Sequence, residues 1–351
     1  MGTVLAVQAN FYRVSLDGNA TLPVRELLCT RRSRLKKVGQ RVVVGDRVAI
    51  EEPDWAGQRG AIAAVMPRCT YLERPPIANV DLALVTCALA EPEPDPVHLS
   101  RFLVQASASG LEVQVCLNKC DLASDLECEQ WRSRLEGWGY TPLLLSAKIQ
   151  VGLNDLLAAC RGKLAVLAGA SGVGKSSLLN VLVPGLALRT QPVSGRLQHG
   201  RHTTRHVELF GLPTGGWIAD TPGFNQMELA ACQSSSTIQH FPEARQAASC
   251  CQFQDCLHQD EPGCAVREMT WERYEIYRQF LAEVLEREAI ERDTQDPDEE
   301  LKNKTRSQGT VTEPRLHARY RQTSRRSNRQ RFQILQGDVD ALLQSEAAED
   351  F

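Results

Sequence analysis

Apolar positions fall along this chain in two textures. Up to about residue 73 they come in short β-branched segments, VLAVQANFYRVSL, LPVRELLC, QRVVVGDRVAIEE and GAIAAVM, broken by Asp17-Gly18, Gly45-Asp46 and Gly57. Short strands with turns at this spacing predict a small barrel. From about 74 the pattern changes to strand and helix in alternation. VDLALVTCAL (80–89) reads as a buried strand, LSRFLVQASASG as a helix with a glycine stop, and LEVQVCLNKCDL as a strand running into a polar loop. LLLSAKIQVG repeats the strand-to-loop pattern, GLNDLLAACRG is a further helix, KLAVLAG (163–169) a buried strand and SLLNVL (177–182) the opening of another helix. Such alternation predicts a mostly parallel sheet covered on both faces, with its ligand at the carboxyl ends of the strands. Near the carboxyl end Trp271, Tyr274, Tyr277, Phe280, Leu281 and Val284 recur at three- and four-residue steps, the stripe of a packed helix. After Asp293 the periodicity stops, and only GDVDALLQSE reads as a short terminal helix.

The loops at those strand ends carry the chemistry. Residues 169–177, GASGVGKSS, fit G-x-x-x-x-G-K-[ST], with Gly169, Gly174, Lys175 and Ser176 at the defining positions and Ala170, Ser171, Gly172, Val173 and Ser177 completing the stretch. Strand, Gly-rich turn and helix in that order let backbone N–H groups close on phosphate oxygens. Lys175 adds charge at the β/γ-phosphates and Ser176 a hydroxyl for Mg²⁺. Asn118-Lys119-Cys120-Asp121 is an NKxD pattern: the Asp121 carboxylate can accept from both the ring N–H and the exocyclic amine of guanine, a donor pair that adenine lacks, while the Lys119 stem lies over the base. Ser146-Ala147-Lys148 offers a backbone N–H to the guanine carbonyl. Asp220-Thr221-Pro222-Gly223 follows the apolar GGWIA. There Asp220 can hold Mg²⁺ through water and Gly223 can give its N–H to a γ-phosphate. In the intervening GRLQHGRHTTRHVELF either Thr203 or Thr204 can complete the Mg²⁺ shell. His202 is the candidate for acting on the attacking water, whereas His199 and His206 read as solvated residues.

Charge and cysteine usage change this picture in two places. The net charge of −3 hides an acidic run over 286–300 followed by a stretch rich in Arg and Lys over 302–331, a composition that can order on an RNA backbone or simply stay solvated. TRRSRLKK (30–37) puts a second basic loop on the barrel, either solvated or RNA-contacting. The twelve cysteines, without an export signal at the amino end, read as reduced thiols or metal ligands, and no apolar run reaches the length of a membrane span. In ASCCQFQDCLHQDEPGCAV (248–266), Cys256, His258 and Cys264 with either Cys250 or Cys251 give three thiolates and an imidazole, a closed set of the structural-zinc type.

The order NKxD, SAK, phosphate loop, HTT, DTPG resembles a circularly permuted GTPase of the TRAFAC class. With a β-barrel before it and the cysteine cluster behind, over about 1–290, the chain resembles the RsgA family. That resemblance implies an OB-fold RNA-binding domain over 1–73, an α/β circularly permuted P-loop GTPase domain over 74–228 and a helical zinc-binding domain over 229–290; the acidic-then-basic composition beyond them reads as a tail without fixed structure over 291–351. It implies Cys251 rather than Cys250 as the fourth ligand of one structural Zn²⁺. It implies a cytoplasmic enzyme that hydrolyses Mg·GTP to GDP and phosphate and docks on the small ribosomal subunit and its rRNA late in maturation; no hydrophobic heptads require a dimer, so a monomer without membrane attachment is the default. Arg205 stands where many relatives carry a third threonine. Two expectations follow from the permuted order itself. The segment after Gly223 runs straight into the carboxyl-terminal domain, so closure on a γ-phosphate would pull on that domain. Phe224 stands where small GTPases often place a water-orienting glutamine, so turnover is expected to be low until a partner completes the site. The competing readings are a different P-loop enzyme, an ATPase or small-molecule kinase, and a non-enzymatic rRNA-binding assembly factor that keeps its nucleotide as a structural ligand.

Overall fold

A computed structural model describes residues 1–18, 24–37, 39–186, 207–220, 229–294, 302–306 and 309–313. It separates into two compact units, Met1–Leu285 and Glu286–Phe351. The first begins with β1 (Gly2–Gln8), β2 (Phe11–Leu16), β3 (Glu26–Arg31), the single-turn helix α1 (Ser33–Lys37), β4 (Arg47–Asp54) and β5 (Arg59–Val65). These strands pair in the order β1-β2-β3-β5-β4, and β4 returns to β1 through Gly2↔Val48 and Thr3↔Arg47, closing the expected barrel. Alternation decides what fills it: Val4, Tyr12, Val14, Leu27, Cys29, Val48 and Ile62 point inward and are buried together. Of the basic loop, Arg31 donates to the Gln40 carbonyl and Arg32 pairs with Glu51 and Glu52.

A short hairpin, β6 (Tyr71–Glu73) and β7 (Pro76–Ala78), leads into the alternating part. This comprises β8 (Leu82–Ala88), α2 (Pro96–Ala108), β9 (Glu112–Asn118), α3 (Asp125–Gly137), β10 (Leu143–Leu144), α4 (Leu153–Ala159), β11 (Leu164–Ala168), α5 (Lys175–Leu182), β12 (Glu208–Gly211) and β13 (Trp217–Asp220). Here the strand order is β10-β9-β8-β11-β13-β12. Every pair is parallel except β12–β13, so the strand ends carrying Asn118, Ser146, Gly169 and Asp220 share one edge. β8 and β11 are buried along their whole length, as continuous apolar runs in a sheet covered on both faces require. A point absent from the sequence patterns is the join between barrel and sheet. Ala6 pairs with Glu208, whose carboxylate also takes Arg13, so β12 continues into β1 as one eleven-stranded sheet among the described residues.

Beyond Leu229 the chain is helical: α6 (Arg245–Ala248), α7 (Ala265–Glu268) and α8 (Tyr274–Thr294). Phe241, Tyr277, Phe280, Leu281 and Val284 pack with Val104 of α2, so this segment shares a core with the nucleotide fold. The predicted aromatic stripe is thus a packing face, with Phe241 set edge-on to Tyr277 at 5.5 Å. Past Thr294 the second unit carries one hairpin among the described residues. Within the second unit β14 (Lys302–Arg306) pairs antiparallel with β15 (Gly309–Glu313), where Thr305, Thr310, Val311 and Thr312 supply β-branched residues and Gly309 opens the return strand. No helix among the described residues is long and apolar enough to cross a membrane.

Candidate functional site

The phosphate loop leaves β11 at Ala168 and ends where Gly174, at φ 96°, caps α5. No side chain caps that helix, and a helix amino end of this kind following a Gly-rich loop suits an anion. Close approach explains two glycines. A Cβ at Gly169 (φ 139°) would lie 2.1 Å from the Thr86 carbonyl oxygen, and one at Gly174 would lie 2.3 Å from Asn118 Nδ2. Lys175 folds back across the loop, with Nζ donating to the carbonyls of Gly169 at 2.8 Å and Ala170 at 2.7 Å. Ser176 is exposed on the first turn of α5, with Ser177 beside it.

The base-reading loop is attached to the phosphate loop directly. Asn118, buried at the end of β9, donates Nδ2–H to the Val173 carbonyl at 2.8 Å, and its Oδ1 is buried without a partner in the protein. Lys119 adopts the left-handed conformation (φ 62°) and donates Nζ to the Glu91 carbonyl. Asp121 is fixed from the third loop: Ser146 Oγ donates to its Oδ1 at 2.6 Å, and Lys148 Nζ stands 3.8 Å from Oδ2. Only the backbone of Ser146-Ala147-Lys148 had an expected role, so the hydroxyl that orients Asp121 is an addition. Its signal in the sequence was the serine itself, the one residue of the three with a short donor side chain. Cys120 is half-buried beneath this loop. Against the phosphate loop lies a cavity of about 240 Å³ walled by Ala88, Leu99, Phe102, Ala170 and Val173, with Asp95 and His98 among its lining residues.

Asp220 ends β13 on the same sheet edge. His199, His202, Thr203, Thr204, Arg205, His206, Gly223 and Phe224 lie outside the described residues.

The second cluster tests for a metal by its donor geometry. The ligand atoms of Cys251, Cys256, His258 and Cys264 all lie within 4.8 Å of one another. Sγ of Cys251 and of Cys264 are each 3.5 Å from His258 Nδ1 and 4.0 Å apart. Zinc bonds of about 2.3 Å to sulfur and 2.1 Å to nitrogen place tetrahedral ligands roughly 3.6–3.8 Å apart, so the set fits Zn²⁺. Cys250 is exposed and turned toward the Gln246 carbonyl, outside the cluster. Burial lowers the His258 pKa, favouring the neutral imidazole that a metal takes. The loop is braced by Glu261, which accepts from the Leu257 and Gln259 N–H groups, and by Tyr274 and Tyr277, whose hydroxyls donate to the His258 and Leu257 carbonyls. By contrast Cys29 and Cys87 are core thiols whose pKa burial pushes up to about 11 and about 12.

Three ordered nucleotide motifs and the aspartate that opens a fourth, a barrel before them and a Cys₃His cluster after them now stand in one unit. The RsgA GTPase family model matches residues 65–230. A small ribosomal subunit biogenesis GTPase RsgA of Trichormus variabilis is 50% identical, with 95% of this chain and 96% of that protein covered. The chain belongs to the RsgA GTPase family. A Synechocystis relative with the same description is 48% identical over 97% of both chains. Among solved structures, YjeQ from Thermotoga maritima superposes with a TM-score of 0.69 at 32% identity, covering 81% of this chain and 98% of that one. YloQ, described as a circularly permuted GTPase, gives 0.68 at 32% identity, covering 82% of this chain and 95% of that one. RsgA-family membership makes the scrambled motif order a permutation of one GTPase fold and the chain a GTP hydrolase.

Proposed function

We propose that this protein binds Mg·GTP on the carboxyl edge of its parallel sheet and hydrolyses it to GDP and phosphate while docked on an assembling small ribosomal subunit. The observation that carries the site is the Asn118 Nδ2 to Val173 hydrogen bond, because it holds a guanine-reading loop and a phosphate-binding loop within reach of one nucleotide. In this reading Asp121, oriented by Ser146, accepts from the two guanine donors, and the Lys119 stem covers the base. Residues 169–177 enclose the phosphates with their N–H groups. Lys175 exchanges its loop carbonyls for β/γ-phosphate oxygens, and water is the nucleophile. Positioning and charge neutralisation supply the rate. Magnesium brought with the triphosphate adds charge at the β/γ-oxygens, and Ser176, Thr203 or Thr204, and Asp220 through water would hold it. His202 is assigned to the attacking water and Gly223 to the γ-phosphate.

The names of the relatives support the ribosomal partner. The basic loop at 30–37, the segment 229–290 with one structural zinc, and the basic stretch at 302–331 are assigned to the rRNA contact, in a monomeric cytoplasmic protein. Phosphate release measured with and without small subunits is the deciding experiment. Slow turnover alone and strong stimulation by subunits is the expected result. Many turnovers per second without any gain from subunits would overturn it, and equal affinity for ATP would remove the guanine assignment.

Two substitutions test the roles at the site. Asp121→Asn exchanges a charge-assisted acceptor for a neutral amide and is expected to weaken GDP binding by about 1.5–3 kcal/mol, read by titration calorimetry. Lys175→Met removes the one cation of the phosphate loop and is expected to lower kcat/KM by about 10²–10³, the usual loss for a preorganised transition-state donor. Near-normal turnover in that variant would take Lys175 out of the mechanism.

A further inference from the structure

Resting on this guanine reading, a second set of contacts bears on how sharply the base is recognised. Asp121 sits in a single turn, Cys120–Leu122, and Ser124 follows it as the cap of α3. The Ser124 hydroxyl and the Glu127 carboxylate form a reciprocal capping box. Asp121 therefore stands four residues ahead of α3, joined to its capped first turn by the chain itself. The helix packs into the core of the sheet through Cys128 and Leu135, with Trp131 against the same cluster. Its far end is gripped by the segment that carries the Cys₃His cluster. Trp138, 2% exposed, donates Nε1–H to Glu272 Oε2 at 2.8 Å, and Arg134 Nε donates to Oε1 of the same carboxylate at 2.7 Å. Arg273 lies 4.5 Å over the Trp138 ring, and Gly139 (φ 85°) packs so closely that a Cβ there would come 2.8 Å from Pro242 Cβ. Thirteen helical residues span about 20 Å as a stiff rod, so a change of anchor at one end tilts the other.

We propose that Glu272, through Trp138 and Arg134, is a positioning residue for guanine recognition: it fixes the axial setting of α3 and with it the aim of Asp121. Binding of base and docking of the carboxyl-terminal segment are then linked, each favouring the other. Glu272 touches no nucleotide and acts only through the helix.

The test compares GDP with IDP, which lacks the exocyclic amine, on the full-length protein. The affinity ratio measures how well Asp121 meets both donors. A partly unfolded sample lowers the active fraction but does not move that ratio. Glu272→Gln and Trp138→Phe are expected to lower the GDP/IDP ratio by about fivefold or more, the lower end of site-to-site coupling. They should also raise KM for GTP while leaving kcat unchanged. Arg134→Gln, which leaves the Trp138 to Glu272 bond in place, is expected to give a smaller loss and serves where Glu272→Gln folds poorly. Asp121→Asn is the control. If it leaves the ratio unchanged, the guanine reading itself fails. If it flattens the ratio while Glu272→Gln and Trp138→Phe retain the parent value, only the positioning role is overturned.

Discussion

Removing metal from the Cys251, Cys256, His258 and Cys264 cluster is expected to unfold residues 249–268 and loosen their hold on α8, while the parallel sheet survives. The stretch between α6 and α7 has no strand, and α6 and α7 are four residues each. Cys264 and Val266 are its buried apolar side chains, too few to balance the cost of ordering some twenty residues at about 1–2 kcal/mol each. Metal binding by such sites is worth about 10–16 kcal/mol in zinc-finger peptides and is realised as folding free energy. Dialysis against a strong chelator should therefore release one zinc per chain and lower the far-ultraviolet dichroism. Hydrogen exchange should lose protection over 249–268 but keep it in β8 and β11. Cys264→Ser should reproduce this result, and Cys250→Ser should not, because Cys250 faces away from the cluster. Unchanged dichroism and exchange with no zinc in the starting protein would sink the assignment.

Features written in local sequence are legible from the residues alone, and features made by distant contacts are not. The barrel strands, the buried runs of β8 and β11 and the phosphate loop each announce themselves within ten residues, because periodicity and turn chemistry are local. Asn118, Lys119 and Asp121 can be placed at a strand end for the same reason. What ties them to Val173 is a single amide hydrogen bond across 55 residues, which no spacing encodes. Likewise Ser146 reads as a backbone donor until its hydroxyl is found 2.6 Å from Asp121. The expectation that closure on a γ-phosphate pulls on the carboxyl-terminal segment concerns residues after Asp220 that lie outside the described ones. Leu229 is already buried in a core shared with Val104, and Ser107, Arg101 and Arg134 of α2 and α3 pair with His240, Glu283 and Glu272. Anchoring of this kind needs residues more than 130 positions apart, which hydrophobic period alone does not reveal.

Arg273→Ala is expected to destabilise the protein by about 3–5 kcal/mol, because it strands a buried carboxylate. The arginine is fully buried, and Nε and Nη2 each donate at 2.6 Å to the nearly buried Glu243. Its guanidinium is enclosed by the rings of Trp138 at 4.5 Å and Phe241 at 4.9 Å, an aromatic cage that favours a planar cation. Yet Nη1 is buried with no partner, so desolvation of the pair is only partly offset. That asymmetry makes a sharper test than the single variant. If the main loss in Arg273→Ala is the orphaned charge on Glu243, then Arg273→Met with Glu243→Leu should recover much of it, since an apolar pair of similar volume in a buried ion-pair site is often neutral or better. Denaturant titration followed by the fluorescence of Trp138 and Trp271 would measure both. A double variant no more stable than Arg273→Ala would mean that the cage of rings, and not the ion pair, holds this junction. A single variant within about 0.5 kcal/mol of the parent, the usual range for surface changes, would mean that the junction contributes little to stability.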